Sequence, residues 1–356
     1  MTPAGEQLCY SDAYLRSVEA RVASVESGDA TLLVLDRTVF YPGGGGQPSD
    51  RGLVLRASDG RSWTVRAARK AGGEIVHELF GAAVTSVIPG VREVHAVDEA
   101  GVHPLLLAIG SERYAPYLAT ARPMELLTQA NAILGQGQLS LAKYLFIVDG
   151  AGAPSLRASE LRAFFTHALE RVDPARDLHF QTNTTIDTLD YSGSALNEGS
   201  KVVIAACGEP KRALGAAVPS SLALPGGYGE PSVVLPGVLA ISAPAYEPGS
   251  AERFCESFAD GAIEGFPLVV LVDDAPFTAR TMANFVWVTF TRSDPARHVH
   301  GVGAFVRDKA WGCRGSIVID ARMKPGHAPA LEEDPAVTRR GESCAVRGGP
   351  LSGLFR

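Results

Sequence analysis

The sequence predicts an α/β protein: an α/β C-terminal region with two related α/β units, and a small antiparallel β-barrel domain at the N-terminus. Three observations carry this. Residues 10–80 are short β-forming runs broken by turn residues about every ten positions. From about residue 88, apolar runs alternate with stretches of helical spacing. The second half then answers the first in the same order.

In the N-terminal part, "ATLLVLDRTVFY", "DRGLVLRASDG" and "SWTVRAARKAGGEIVHEL" are rich in Val, Leu and Thr and punctuated by Gly, Asp and Ser. That composition suits half-buried antiparallel strands. Between two of them lies "VFYPGGGGQPSDRG", in which Gly43 to Gly46 predict an exposed loop whose backbone is free to take positive φ.

Further on, "VREVHAV" and "VHPLLLAIGS" read as a hairpin, and "PMELLTQANAILGQ" has helical spacing. "KYLFIVDG" is a buried strand ending in an acid. "SLRASELRAFFTHALERV" is an amphipathic helix with Ser155 or Ser159 as its N-cap. The repeat pairs "KYLFIVD" with "PLVVLVD", "RVDPARD" with "RSDPARH", and "GSKVVIAA" with "GSIVIDAR". Their first residues, 143 and 267, 171 and 292, 199 and 315, give offsets of 124, 121 and 116. A slow drift in one direction predicts two related units, with Asp149 and Asp273 at equivalent strand ends. The Pro- and Gly-rich "ALPGGYGEPSVVLPGVLAISAPAYEPGS" between them reads as a structured excursion carrying two short strands. The expected division is 1–83 for the barrel, 84–225 and 226–345 for the two units, and 346–356 for a loose or flap-like tail.

The formal net charge of −6 leaves no broad basic surface for a phosphate backbone. Runs such as "PLVVLV" are too short to cross a bilayer. The first twenty residues lack a basic stretch followed by an apolar run, so no signal peptide is expected. Five scattered cysteines, Cys9, Cys207, Cys255, Cys313 and Cys344, form no CxxC and suit a reduced, cytoplasmic protein. None of the eight histidines is spaced His-x-x-x-His, so no zinc site is expected; His298 and His300 alone could point one way on a strand.

"FYPGGGGQPSDRG" followed by "GGEIVHEL" resembles the alanyl-tRNA editing family, the AlaX proteins and the editing region of alanyl-tRNA synthetase, with Gly43 where that family carries Glu. The resemblance covers about residues 10–80. It implies the accessory β-barrel of that family, without the zinc domain that performs its hydrolysis.

Residues 88 to about 340 resemble the C-terminal region of UbiD-type decarboxylases. "LSLAKYLFIVD", "ERVDPARDL", "TLDYSGSALNEGSKVVI", "NFVWVTFTRSDPARHVHG" and "GSIVIDARMKPG" carry that likeness. It implies carboxy-lyase chemistry on prenylated FMN, with the flavin, metal and Glu-Arg-Glu acid–base set supplied by an upstream domain. Here the editing-like barrel takes that place, so no catalytic residue and no metal ligand carries over. Lys201 is the one residue the likeness offers to a flavin phosphate. Asp187, Asp190 and Ser192 are expected to fix turns and caps, and Arg292 and Asp320 to hold the second unit together. The expectation is a UbiD-like family protein that serves as a subunit or assembly module, as a homo-oligomer or beside a flavin-domain partner. The alternative is an alanyl-tRNA editing-type factor acting through the barrel without a zinc hydrolase site, although tRNA is not favoured as a partner.

Overall fold

The computed structural model describes residues 6–27, 31–44, 47–57, 62–80, 88–101, 103–115, 117–118, 121–261, 263–327 and 335–345. The chain divides into a compact unit of residues 1–324 and another of 325–356.

The N-terminal strands are β1 (Glu6–Gln7), β2 (Val22–Ser27), β3 (Thr31–Leu35), β4 (Arg37–Thr38), β5 (Gly52–Leu55), β6 (Ser62–Ala71) and β7 (Glu74–Phe80). Five of them form an antiparallel sheet in the order β2-β3-β7-β6-β5. Bulges between Val22 and Ser24 and between Val65 and Ala67 add to its curl. The expected barrel is not closed, and the sheet is a half-barrel. Its edge strands β2 and β5 do not pair, and β1 and β4 pair with each other in parallel instead of bridging them. Gly72 and Gly73 both take positive φ in the β6–β7 turn, as a two-residue hairpin of the right twist requires. Gly43 has φ +76°, and Gly44 and Gln47 exchange both backbone hydrogen bonds at 3.1 and 3.0 Å. Gly45 and Gly46, the rest of the expected loop, lie outside the described residues.

Next come β8 (Glu93–Ala96), β9 (Leu105–Gly110), helix α1 (Met124–Leu134), β10 (Tyr144–Asp149), α2 (Leu161–Arg171), β11 (Leu178–Thr185) and β12 (Glu198–Ala206). They form a sheet ordered β11-β12-β10-β9-β8, with β9, β10 and β12 parallel and both outer pairs antiparallel. The parallel strands are apolar on both faces because a helix covers each face. α1 lays Leu126, Ala130 and Ile133 against Leu106, Leu145 and Val203. α2 lays Phe164, Phe165 and Leu169 against Leu107, Phe146 and Ile204. α1 starts after Pro123 with no cap of its own; the Glu112 carboxylate accepts the N–H groups of Glu125 and Leu126 at 2.9 and 3.1 Å. α2 is capped by neither Ser155 nor Ser159. It starts after Glu160 without a side-chain cap, and its C-terminal carbonyls are held by Arg212, 2.7 Å from both Leu169 O and Val172 O.

The remaining elements of this unit are β13 (Gly229–Leu235), β14 (Val238–Ser242), α3 (Ser250–Glu256), β15 (Leu268–Val272), α4 (Ala275–Arg280), α5 (Met282–Thr291), α6 (Pro295–His298), β16 (Val299–Gly301), β17 (Ala304–Arg307), β18 (Ala310–Cys313) and β19 (Ile317–Asp320). The third five-stranded sheet is ordered β13-β14-β15-β19-β16, again with three parallel inner strands and antiparallel edges. It repeats the order and sense of the sheet before it. The stretch expected as an excursion supplies its first hairpin, β13–β14. The inner faces of the two sheets share one core. In it Phe165 stacks on Phe290 (ring centroids 6.3 Å apart), and Tyr144 meets the same ring edge-on at 4.9 Å.

The register corrects one pairing read from the sequence. Val202 lies opposite Tyr144 and Ile317 opposite Leu268, so β12 and β19 correspond at an offset of 115, from residue 202 to 317. The shared Gly-Ser letters had suggested 116. Backbone hydrogen bonds set the match: Val202 N–H donates to Lys143 O, and Ile317 N–H donates to Pro267 O. Lys201 therefore corresponds to Ser316. Asp149 and Asp273 do fall at the ends of equivalent strands, as expected. Residues 325–345 contain α7 (Pro335–Ala345); the expected tail, 346–356, lies outside the described residues. Among the described residues no helix is long and apolar enough to cross a membrane.

Candidate functional site

A buried polar cluster lies where the two α/β sheets meet. Lys143 sits immediately before β10, which is buried and apolar up to its final Asp149, so the strand carries its ammonium into the interior. Its Nζ donates to Ser192 Oγ at 2.6 Å and Ser293 O at 2.8 Å, and lies 2.7 Å from Asp190 Oδ2. The Lys143 side chain is fully buried and that of Asp190 is 6% exposed. Burial pushes the Lys143 ammonium down, and the Asp190 carboxylate beside it opposes this. Tyr144 Oη shares a hydrogen bond with Ser293 Oγ at 2.7 Å. Burial drives its phenol well above the usual tyrosine range.

The same seam is braced by Asp294. Its Oδ1 accepts Ser200 N–H at 2.8 Å, and Ala296 N–H donates to Ser200 Oγ at 2.8 Å. Each Asp-Pro-Ala-Arg turn also closes on itself in one way. Asp173 N–H donates to Asp177 Oδ2, and Asp294 N–H to His298 Nδ1, both at 2.8 Å. His298 is consequently a buried acceptor, pushed down to about 2 by burial and by Lys324. His300 points to Glu252 Oε1 at 3.7 Å, so the two histidines do not converge. Among the described residues, no group of three or more His, Cys, Asp or Glu side chains is placed to hold a metal ion.

Lys201 is 3% exposed. Its Nζ donates to Thr185 O at 2.6 Å and Ala142 O at 3.2 Å, and burial lowers it to about 8. The turns expected of Asp187 and Asp190 are present: Leu189 N–H donates to Asp187 Oδ1 at 2.8 Å, and Ser192 N–H to Asp190 Oδ1 at 2.9 Å. Asp187 also bonds His103 Nδ1. In the second sheet Arg292 reaches Asp273 Oδ2 at 3.1 Å, and Asp320 takes Arg322 on both oxygens at 2.9 and 2.6 Å. Lys324 donates to three carbonyls around this pair. The sequence singled out Lys201, Asp190, Ser192, Arg292 and Asp320. It gave no role to Lys143, Tyr144, Ser200 or Ser293. The one available signal was a lysine directly before a strand that is apolar up to its final acid.

Residues 71–206 match the family model of the 3-octaprenyl-4-hydroxybenzoate carboxy-lyase C-terminal domain, and residues 7–98 match that of class II (A) tRNA synthetases. A Chlamydia pneumoniae protein, named as one subunit of a 4-hydroxybenzoate decarboxylase, is 32% identical over 277 residues, 75% of this chain and 43% of that protein. An alanyl-tRNA editing protein AlaX-M from Methanosarcina barkeri is 47% identical over 81 residues, 23% of this chain and 32% of that protein. Among solved structures, the vanillic acid decarboxylase of Sedimentibacter hydroxybenzoicus in its closed form is 19% identical, covering 40% of this chain and 28% of that chain with a TM-score of 0.29. Over its α/β region this chain is similar to UbiD-type decarboxylases, and a segment similar to AlaX proteins precedes that region. It spans less than half the length of the UbiD-like relatives it matches.

Proposed function

We propose that this chain is an assembly subunit of a UbiD-type carboxy-lyase, working beside a flavin-domain partner and not as a self-sufficient decarboxylase. One observation carries the reading. The polar residues of the family-like motifs are spent on joining two sheets: Lys143, Asp190, Ser192, Ser200, Ser293 and Asp294 bond one another across the seam. The Chlamydia pneumoniae relative, named as one subunit of a decarboxylase, supports a partner. The matching sheet topologies support two duplicated α/β units at 84–225 and 226–345, after an N-terminal domain of residues 1–83. Self-association into a homo-oligomer in the cytoplasm belongs to the same reading.

Prenylated FMN is the cofactor the family implies, and the residues present do not fit it. A phosphate grip needs cationic donors facing the ligand. The ammonium offered by the resemblance, on Lys201, is buried on two backbone carbonyls. The flavin is therefore assigned to the partner, where prenylated FMN would supply the chemistry for losing CO2.

The test is expression of the chain with a flavin prenyltransferase, with and without a flavin-domain subunit. A visible spectrum and CO2 release from a panel of aromatic and α,β-unsaturated acids are then measured. The lone chain is expected to be colourless and inactive. Turnover by the lone chain would overturn the proposal. The 47% identity to AlaX-M keeps an editing factor as the second reading. Binding of mischarged alanyl-tRNA by the purified chain, unaffected by chelator, would favour it.

A further inference from the structure

We propose that Lys201 and Lys143 are positioning residues for the loop 186–197, holding it in one conformation at the seam between the sheets. Three observations converge. First, Lys201 corresponds by register to Ser316, and the two do the same work. Ser316 Oγ donates to Phe266 O at 2.7 Å, and Lys201 Nζ donates to Ala142 O at 3.2 Å. Each acceptor lies two residues before the neighbouring strand, β15 or β10. At this position the side chain satisfies a carbonyl that the parallel ladder leaves open.

Second, a serine would stop there, but the longer lysine goes on to Thr185 O at 2.6 Å, at the last residue before the loop. The next residue after Ala142 is Lys143, which takes Asp190 and Ser192 inside the loop. Two buried ammonium groups, one in β12 and one just before the adjacent β10, thus fix the loop at its root and in its middle.

Third, the loop's remaining polar groups lock the same conformation. Asn197, at φ 60°, donates through Nδ2 to Ile186 O and Thr188 Oγ1 at 3.2 and 2.7 Å. Ser194 N–H donates to Glu198 O at 2.9 Å. The result is a fixed loop that keeps Leu189, Tyr191 and Leu196 65–77% exposed, although burying them would be favourable in isolation. The backbone carbonyls, not a ligand phosphate, are what the Lys201 ammonium serves.

The test is amide hydrogen exchange on the full chain, with FMN titration alongside. In Lys201→Met, the amides of 186–197 are expected to exchange at least about tenfold faster, while those of β10 and β12 stay protected. Lys201→Arg is expected to restore most of the protection. FMN binding should not differ between the wild type and Lys201→Met. Should Lys201→Met fail to fold, Asp190→Asn keeps the size of the side chain, weakens the hold of Lys143, and is expected to speed exchange over the same residues. Unchanged loop exchange in whichever variant folds would overturn the proposal. So would FMN binding that is lost in Lys201→Met or Lys201→Arg while the loop stays protected.

Discussion

Replacing Lys143 by Met removes the charge at the centre of the seam while filling most of its volume. The structure sets the cost. The Asp190 side chain is 6% exposed, and among the described residues its carboxylate would be left with Ser192 as its one hydrogen-bond donor. Ser293 O would lose its 2.8 Å bond from the ammonium and would have to compete, at 3.2 Å, for the single Ser192 hydroxyl proton that Asp190 Oδ1 takes at 2.6 Å. Breaking one side of a buried pair costs about 3–5 kcal/mol, because the surviving charge stays desolvated. Lys143→Met should therefore lower stability by that amount, read as a shift of the urea midpoint at constant slope. Removing the stranded charge as well, in Lys143→Met/Asp190→Leu, should recover part of the loss. The control is Arg253→Gln. Arg253 lies 3.7 Å from Glu247 with side chains 61% and 76% exposed, so its loss should cost no more than about 1 kcal/mol. If Lys143→Met cost as little as that control, or the double variant were less stable than the single, the seam would not be held by a buried charge pair.

Other expectations follow from the same geometry. Burial alone would raise the Asp320 carboxyl, but the Arg322 bonds and Lys324 outweigh it and hold it below the usual range. Its stabilisation is thus present above about pH 4 and lost as pH falls through the lower folded value. Asp320→Asn should flatten the loss of stability below pH 4 in urea titrations. Lys201 titrates near 8 when folded, and its unfolded value is near 10.5. The penalty for burying its charge applies in full below 8 and is relieved as pH rises through that window, so Lys201→Met should remove part of a stability gain between those values. His298→Asn keeps an acceptor for Asp294 N–H, whereas His298→Leu strands that donor. The second should be less stable by about 1–3 kcal/mol in thermal or urea unfolding. Phe165→Ala opens the shared core between the sheets and should cost about 3–5 kcal/mol, measured the same way.

The amino-acid sequence by itself marked the buried inner strands, two of the main helices and the repeated order of the second half. A strand buried on both faces is apolar along almost its whole length, so "LLLAIG", "YLFIVD" (up to its final acid) and "LVVLV" declare themselves as buried strands. The spacing of Leu126, Ala130 and Ile133 declares a helix in the same way. Three things were decided only by tertiary structure. Barrel closure depends on whether β2 and β5 meet, and strand composition does not record that. The register of β19 is fixed by the backbone hydrogen bond from Ile317 N–H to Pro267 O, which sets Ile317 opposite Leu268 and overrides the Gly-Ser letters by one residue. The roles of Lys143 and Lys201 depend on partners 16 to 150 residues away in sequence. A lysine before a strand reads as a surface residue until the fold brings a carboxylate or a carbonyl to its ammonium, because burial of a charge is tolerable only with that partner in place.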